Sequence, residues 1–165
     1  MIFETSRLVI RALAPDDEER YFSLHGDPVI MKYIRAASSR EQCKVLLRDH
    51  IELNKQLAPF GRWLAYDCET DEFVGSFVVI PIVNTELMQL GYSLLREHWG
   101  KGYATEMVLG GLDYLTNQTS LETIYAIAEE DNLASQKALL KAGFKEEMKM
   151  MEGEKVLKRF IYELH

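Results

Sequence analysis

Two glycines two residues apart, Gly100 and Gly102, form the segment whose residue types and spacing point most directly to chemistry. They follow an apolar segment, residues 87–95, and precede an amphipathic one. Glycine has no Cβ, so the backbone can adopt left-handed angles and approach a ligand closely. Such a turn at a helix N-terminus presents free N–H groups at the positive end of the helix dipole. The pattern therefore predicts an anion site suited to phosphate.

Two common phosphate-binding motifs do not match this turn. A Walker loop requires a glycine followed by lysine and then serine or threonine, and the chain contains no such run. The dinucleotide fingerprint, started at Gly100, requires glycine or alanine where Thr105 stands. The sequence therefore argues against a nucleotide-binding module. A tight strand-to-helix turn that binds nothing stays open as an alternative.

The composition is typical of a globular domain. The chain has 165 residues, a net charge of −7, 47% hydrophobic residues and 27% charged residues. This length predicts one domain, residues 1–165. The acidic balance disfavours nucleic acid as a partner. It either steers cationic substrates or serves solubility alone.

The cysteines and the hydropathy pattern suggest a compartment. Cys43 and Cys68 lie far apart and form no cluster that predicts a metal site. Free thiols of this kind are typical of cytoplasmic proteins, which is the localisation that we expect. No apolar run approaches the length of a membrane span, so no membrane association is predicted.

Hydrophobic periodicity and turn residues predict alternating strands and helices. The predicted strands are residues 8–13, 63–67, 73–80, 88–95, 123–128, 145–151 and 156–164. The predicted helices begin near Pro15, Val29, Ser39, Gly102 and Asn132 and end near residues 24, 34, 57, 117 and 142. We expect a parallel strand pair with a right-handed crossover in the second half. The last strand is a candidate exposed edge, protected by its charges or paired in a homodimer.

Three motifs in this order make the chain resemble the GNAT superfamily of N-acetyltransferases. They are residues 100–104 (GKGYA), 132–135 (NLAS) and 141–144 (KAGF). Residues 4–11 and 27–33 look like the branch that contains ribosomal-protein alanine N-acetyltransferases. The resemblance implies a mixed α+β, GNAT-like acyl-CoA N-acyltransferase fold. Its central twisted, mostly antiparallel sheet would have about seven strands, with a parallel pair at the cofactor cleft and flanking helices.

The resemblance implies acetyl-CoA as cosubstrate, with its pyrophosphate at the glycine turn. The N–H groups of the turn would contact phosphate, and Arg96 and Lys101 would add charge or form a solvated rim. Trp99 would pack the turn, and the backbone at Leu94 would pair with the pantetheine arm. Asn132 would bond the same arm, cap its helix, or do both. The expected cofactor-binding set is Leu94, Arg96, Trp99, Gly100, Lys101, Gly102, Tyr103, Ala104, Thr105, Asn132 and Ser135.

The implied reaction is direct attack of a primary amine on the thioester in a ternary complex. It needs an uncharged amine, a donor for the oxyanion and an acid for the departing thiolate. Many family members have a tyrosine at the position of Leu139, which cannot donate a proton. Ser135 matches a serine used in the ribosomal-protein branch and is our predicted acid. Its alternative role is to let the helix approach the cofactor closely.

The general base is less evident. Gln89 stands where many relatives have glutamate; it cannot accept a proton but can orient a water molecule. Glu86, Glu129 and Asp131 are expected near the same strand ends, as bases or as solvated surface acids. Tyr92 and His98 remain further candidates. The predicted catalytic set is Ser135, Glu86 and Gln89.

A site without an evident carboxylate base favours a weakly basic amine. An α-amino group has a pKa of about 7.7–8.0 and lysine about 10.4, so at pH 7 lysine is over 4 kcal/mol from its neutral form and the α-amine about 1.4. We therefore expect a peptide or protein N-terminus as acceptor. A polyamine or aminoglycoside is the alternative substrate, and a non-catalytic acyl-CoA-binding regulatory domain is the alternative function. The expected assembly is a monomer or a homodimer.

Overall fold

The computed structural model describes residues 1–165 as eight strands and four helices. The strands are β1 (Phe3–Glu4), β2 (Leu8–Ala12), β3 (Gly61–Asp67), β4 (Phe73–Pro81), β5 (Met88–Leu94), β6 (Thr123–Glu129), β7 (Lys145–Glu152) and β8 (Lys155–Glu163). The helices are α1 (Glu18–His25), α2 (Arg40–Leu57), α3 (Tyr103–Gln118) and α4 (Leu133–Ala142). Short 3₁₀ turns occupy Ile30–Tyr33 and Arg96–His98.

Local signals in the sequence account for the helix ends. The Ser39 hydroxyl accepts a hydrogen bond from the Gln42 backbone, and the Gln42 side chain accepts one from the Ser39 backbone. This capping box satisfies two groups at the start of α2 that would otherwise lack partners. Gly143, with φ of 106°, ends α4 in the left-handed region that glycine tolerates best. Both features agree with the sequence-based predictions.

All strands form one sheet in the order β1-β2-β3-β4-β5-β6-β8-β7. Every neighbouring pair is antiparallel except β5 and β6, which are parallel and joined through α3. The predicted parallel pair is thus confirmed. The predicted count of about seven strands is low by one, because β1 has only two residues and carries no periodic signal.

The helices cover opposite faces of the sheet. Side chains alternate along a strand, and on β3 Leu64 packs with Tyr21 of α1 and Leu47 of α2. Its neighbours Trp63 and Ala65 belong to the larger core beneath α3 and α4. The α1/α2 helices therefore define one face and the α3/α4 helices the other. The main core fills the α3/α4 side, including the fully buried Phe77, Met107, Leu115, Ile124 and Leu139.

The outer edge of the sheet differs from our expectation. The edge strand is β7, and β8 lies between β6 and β7. The prediction of an exposed edge at residues 156–164 is wrong because β8 folds back along β7 and pairs with it over residues 155–161. Most side chains of β7 are exposed. None of the four helices is long and apolar enough to span a membrane.

Candidate active site

The turn between β5 and α3 exposes a row of backbone donors. Gly100 and Gly102 both have left-handed backbones, with φ of 72° and 80°, and α3 begins directly after Gly102. The N–H groups from Gly100 to Thr105 donate to no acceptor within the protein. A Cβ added at Gly100 would meet nothing within 4 Å, so the turn is open on that side. The local geometry suits a phosphate group at a helix N-terminus.

The first turn of α3 is fastened to the β1–β2 connection by Arg7. Its guanidinium donates to the Lys101 carbonyl at 2.9 Å and to Glu106 Oε2 at 2.6 Å, and it lies 4.2 Å from the centre of the Tyr103 ring. Burial alone would raise the pKa of Glu106, but hydrogen bonds from Thr5 and Arg7 outweigh it and lower that pKa. Glu106 is thus held as a carboxylate. These contacts fix the orientation of the exposed N–H groups.

The side chains around the turn have different tasks. The Trp99 indole donates to the Leu94 carbonyl at 2.9 Å, which ties the turn back to the end of β5. The Arg96 Nε lies 2.9 Å from Asp27 Oδ2, so Arg96 is already ion-paired. Lys101 is exposed and has no ion pair, which leaves it as the uncommitted cation beside the glycines. The buried His98 packs edge-on against Tyr103, with 5.7 Å between ring centres.

The parallel strands β5 and β6 diverge from each other. They share a single registered pair, Gln89 with Tyr125, near the start of each strand. Beyond that pair, residues 91–94 of β5 stay paired with β4 but have no partner on the β6 side. An unpaired strand edge can bond an extended ligand as a further strand would. The resulting cleft opens toward the glycine turn.

Two hydroxyl groups meet on the α3/α4 side of this cleft. The Tyr92 hydroxyl donates to Ser135 Oγ at 3.2 Å. Asn132 caps α4 by accepting from the Ser135 backbone N–H at 3.2 Å, and its side-chain amide donates to no protein group. Burial raises the pKa of Tyr92, and the hydrogen bond to Ser135 only partly offsets this. Tyr92 is therefore a neutral phenol at physiological pH.

Tyr92 is the site residue that sequence reasoning considered but did not select. Strand alternation puts Tyr92 on the same face as Leu90 and Leu94, which was a usable signal. That signal did not say that α4 would bring Ser135 across this face. Leu139, at the position of the family tyrosine, is buried in the core.

Gln89 lies on the other face of β5. Alternation groups it with Gly91 and Ser93, opposite Ile80, Val78 and Ser76 of β4. Ser76 and Ser93 share a hydrogen bond of 2.8 Å between their hydroxyls. Ser135 and Gln89 therefore face opposite sides of the strand, and β5 separates them.

The acidic candidates do not all gather at one end of the cleft. Glu129 ends β6, 3.8 Å from the Lys155 ammonium, and Asp131 is exposed just beyond it. Glu86 precedes β5 and lines a cavity with residues 120–123 and Tyr125, which lie at the start of β6. The expectation that Glu86 lies near the same strand ends as Glu129 is thus wrong. Because β5 and β6 are parallel, both strands start at one end of the cleft and finish at the other.

No three His, Cys, Asp or Glu side chains are arranged to hold a metal ion. The exposed donors at residues 100–105, the open strand edge and the free Asn132 amide form a polar track of groups without protein partners. This track fits a ligand with a phosphate group at one end and an extended, amide-bearing arm at the other.

Comparison with known proteins agrees with this geometry. The acetyltransferase (GNAT) domain family matches residues 7–145. An N-acetyltransferase of Bacillus licheniformis named p20 is 31% identical over 162 residues, which cover 95% of this chain and 89% of that protein. The spermidine N-acetyltransferase of Vibrio cholerae, solved with CoA and spermine, superposes with a TM-score of 0.80 at 24% identity, covering 96% of each chain.

A second solved structure has the same fold. It is the acetyltransferase of Salmonella typhimurium that modifies the N-terminal serine of ribosomal protein L7/L12, with a TM-score of 0.81, 15% identity and 96% of each chain covered. At these identities, the two structural likenesses show the fold and not the substrate. Together with the family match, they lead to one conclusion: this chain belongs to the GNAT family of acetyltransferases and is an N-acetyltransferase.

Proposed function

We propose that this enzyme transfers the acetyl group of acetyl-CoA to a primary amine, and that the amine is the α-amino group of a peptide or protein. The observation that carries the proposal is that the two faces of β5 present different chemical groups. A pair of hydroxyl groups, Tyr92 and Ser135, lies on one face, and the other face of β5 carries Gln89, Gly91 and Ser93 but no carboxylate.

Several groups described above support acetyl-CoA as the cosubstrate. Acetyl-CoA supplies a thioester and a pyrophosphate. The N–H groups of residues 100–105 would hold the pyrophosphate, and the exposed Lys101 would add a positive charge. The unpaired edge of β5 and the Asn132 amide would bond the pantetheine arm.

The chemistry requires two proton movements. The amine nitrogen bonds to the carbonyl carbon, the carbon–sulfur bond breaks, and the nitrogen loses a proton while the sulfur gains one. Ser135 is our proposed donor to the sulfur, and Tyr92 can resupply Ser135 through their hydrogen bond. Backbone N–H groups near Leu94 are the proposed donors to the carbonyl oxygen.

On the acceptor side, neither β5 nor the two buried histidines supply a strong base. Gln89 cannot take a proton, and burial lowers the pKa of His25 to about 4 and that of His50 to about 3. Such imidazoles are neutral but weakly basic at pH 7. Without a strong base, an amine that loses its own proton easily reacts best. This favours an α-amine over a lysine side chain.

A polyamine is the second candidate acceptor. The net charge of −7 would attract a polycation, and the Vibrio cholerae enzyme of the same fold is a spermidine N-acetyltransferase. Spermidine amines are as basic as lysine, so they would need a base, and β5 has no carboxylate on its acceptor face.

The test is thiol release from acetyl-CoA with four acceptor classes: peptide N-termini, N-terminally blocked lysine peptides, polyamines and aminoglycosides. We expect turnover with peptide N-termini and little with the others. Faster turnover of a polyamine would replace the α-amine proposal. Tight CoA binding without turnover of any acceptor would indicate a regulatory domain.

A further inference from the structure

Arg62 is a half-buried cation without a partner. It lies on β3, on the α1/α2 face, two residues before Leu64. Its backbone is bonded to the Asn54 side chain, but its guanidinium makes no ion pair or hydrogen bond with the protein. The chain has 26 acidic residues against 19 lysines and arginines, so acidic partners are abundant. Charged groups are seldom buried without a partner, so an unpaired Arg62 indicates an external anion.

The surroundings of Arg62 do not neutralise it. Tyr21, His25 and His50 form an aromatic cluster with ring centres 4.7 to 6.5 Å apart, and Tyr21 is hydrogen-bonded to His50 at 2.7 Å. His25 is only 8% exposed, and its Nδ1 has no partner. Burial mainly lowers the pKa of both histidines, and the positive charges of Arg35 and Arg62 lower it further.

Three carboxylates on the α1/α2 side already have arginine partners. On the α1/α2 side, Asp17 pairs with Arg20, Asp27 with Arg96, and Glu19 with Arg40. Arg35 follows the 3₁₀ turn at Ile30–Tyr33, is exposed, and has no ion pair. Arg62 and Arg35 thus both lack an ion-pair partner in a chain that is acidic as a whole.

Arg62 lies in line with the acceptor side of β5. The registered pairs join Arg62 to Val78 and Val78 to Gly91, so the three residues form one row across the sheet. Strands are about 4.8 Å apart, which puts the Arg62 and Gly91 Cα atoms about 10 Å from each other. A Cβ on Gly91 would meet only Val78 Cγ2, at 3.3 Å. On this face of the sheet, the only side chain in the row between Arg62 and the backbone of Gly91 on β5 is therefore that of Val78.

We propose that Arg62, with Arg35 at the rim, binds a carboxylate of the acceptor, so that the substrate is an α-amine with an acidic group close to the reacting nitrogen. The inference rests on the proposed function and narrows its substrate class. An acidic peptide N-terminus and a free acidic amino acid both present this chemistry. The same cations repel a polyamine locally, and within the Debye length of about 8 to 10 Å they outweigh more distant surface acids.

The experiment compares two matched peptides, one with aspartate and one with asparagine directly after an N-terminal serine. We expect kcat/KM for the aspartate peptide to be at least about tenfold higher. The variant R62Q should remove most of this preference, R35Q part of it, and R62K should retain part of it. R48Q removes an exposed, unpaired arginine on α2 and should leave the preference unchanged. Free aspartate as acceptor distinguishes the small-molecule source from the peptide.

The outcomes separate this inference from the proposed function. Acetylation of both peptides at equal rates, or a preference unaltered by both R62Q and R35Q, would overturn the inference and leave the proposed function intact. R35Q covers the case in which R62Q does not fold, because Arg35 is exposed. If no amine is acetylated, titration of both peptides into the CoA complex still decides the inference. Tenfold tighter binding of the aspartate peptide supports it, and equal binding refutes it.

Discussion

The hydrogen bond between Tyr92 and Ser135 suggests a source for the proton that Leu139 cannot donate. Leu139 occupies the position at which many relatives have a tyrosine, and it is buried in the core. A tyrosine from β5 instead reaches the start of α4, 43 residues later in the sequence. Because burial raises the pKa of Tyr92, its proton stays on the phenol and remains available to Ser135. A hydroxyl pair can thus supply the proton that the departing thiolate needs.

We predict that Ser135→Ala lowers kcat by about 100-fold and Tyr92→Phe by about tenfold, with the KM for acetyl-CoA changed less than threefold, as expected for loss of a general acid. Steady-state kinetics over a range of acetyl-CoA concentrations measure both parameters. Ser120→Ala, in the exposed loop before β6, is the matched control. An unchanged kcat in Ser135→Ala would remove Ser135 from the mechanism.

The absence of a carboxylate at Gln89 leads to a prediction about acceptor basicity. Gln89→Glu adds a base on the acceptor face of β5, so we expect acetylation of lysine peptides or polyamines to rise by at least about tenfold. The ratio of kcat/KM for a blocked lysine peptide to that for a peptide N-terminus is the measurement. If that ratio stays constant, basicity does not govern the choice of acceptor.

At the scale of elements, the β5–α3 turn combines rigidity with open donors. Arg7, Glu106 and the Trp99 indole fix the backbone on either side of the glycines. The left-handed angles at Gly100 and Gly102 then direct successive N–H groups outward. Because contacts within the protein hold this backbone, we expect ligand binding to cost little conformational entropy.

Two glycines in equivalent backbone states allow the binding role to be separated from stability. Gly100 and Gly153 have φ of 72° and 62°, and a Cβ at either would meet nothing within 4 Å. Alanine in this region costs about 1 to 2 kcal/mol, so Gly100→Ala and Gly153→Ala should lose similar unfolding free energy. Only Gly100→Ala should raise the KM for acetyl-CoA, by about fivefold or more. Chemical denaturation and kinetics on both variants check this, and equal KM values would argue against phosphate binding at the turn.

At the scale of the whole molecule, the buried histidines make stability depend on pH. Burial is the main cause of the low pKa values of His25, about 4, and His50, about 3, compared with 6.5 for an unperturbed histidine. Between pH 6.5 and 4 the unfolded chain therefore binds more protons than the folded protein. We therefore expect the contribution of these histidines to stability to be fully present above pH 6.5 and to fall as the pH drops through this window, by up to about 1.4 kcal/mol per pH unit for each histidine.

Urea denaturation between pH 7.5 and 4.5 measures this slope. His50→Gln should flatten it by roughly the share of one histidine, about 1.4 kcal/mol per pH unit. His165→Gln, at the exposed C-terminal end, should leave it unchanged. An identical slope in His50→Gln would show that His50 is not held neutral by the fold.

Features that depend on near neighbours in the chain could be predicted from the amino-acid sequence alone. The capping box at Ser39, the left-handed stop at Gly143 and the limits of α2 follow from residues within a few positions of each other. Strand alternation and helical periodicity gave most of the remaining elements to within a few residues. The glycine turn also belongs to this group, because its angles depend on the missing Cβ.

Contacts between residues that are distant in the chain could not be predicted without the three-dimensional structure. Strand order places β8 between β6 and β7, keeps Glu86 away from the cleft and aligns Arg62 with Gly91. The packing of α4 on the sheet brings Ser135 to Tyr92. Such contacts join distant segments, and the local pattern of one segment does not predict where the other will lie. They are selected by burial of the common core and by pairing of every backbone group in one sheet.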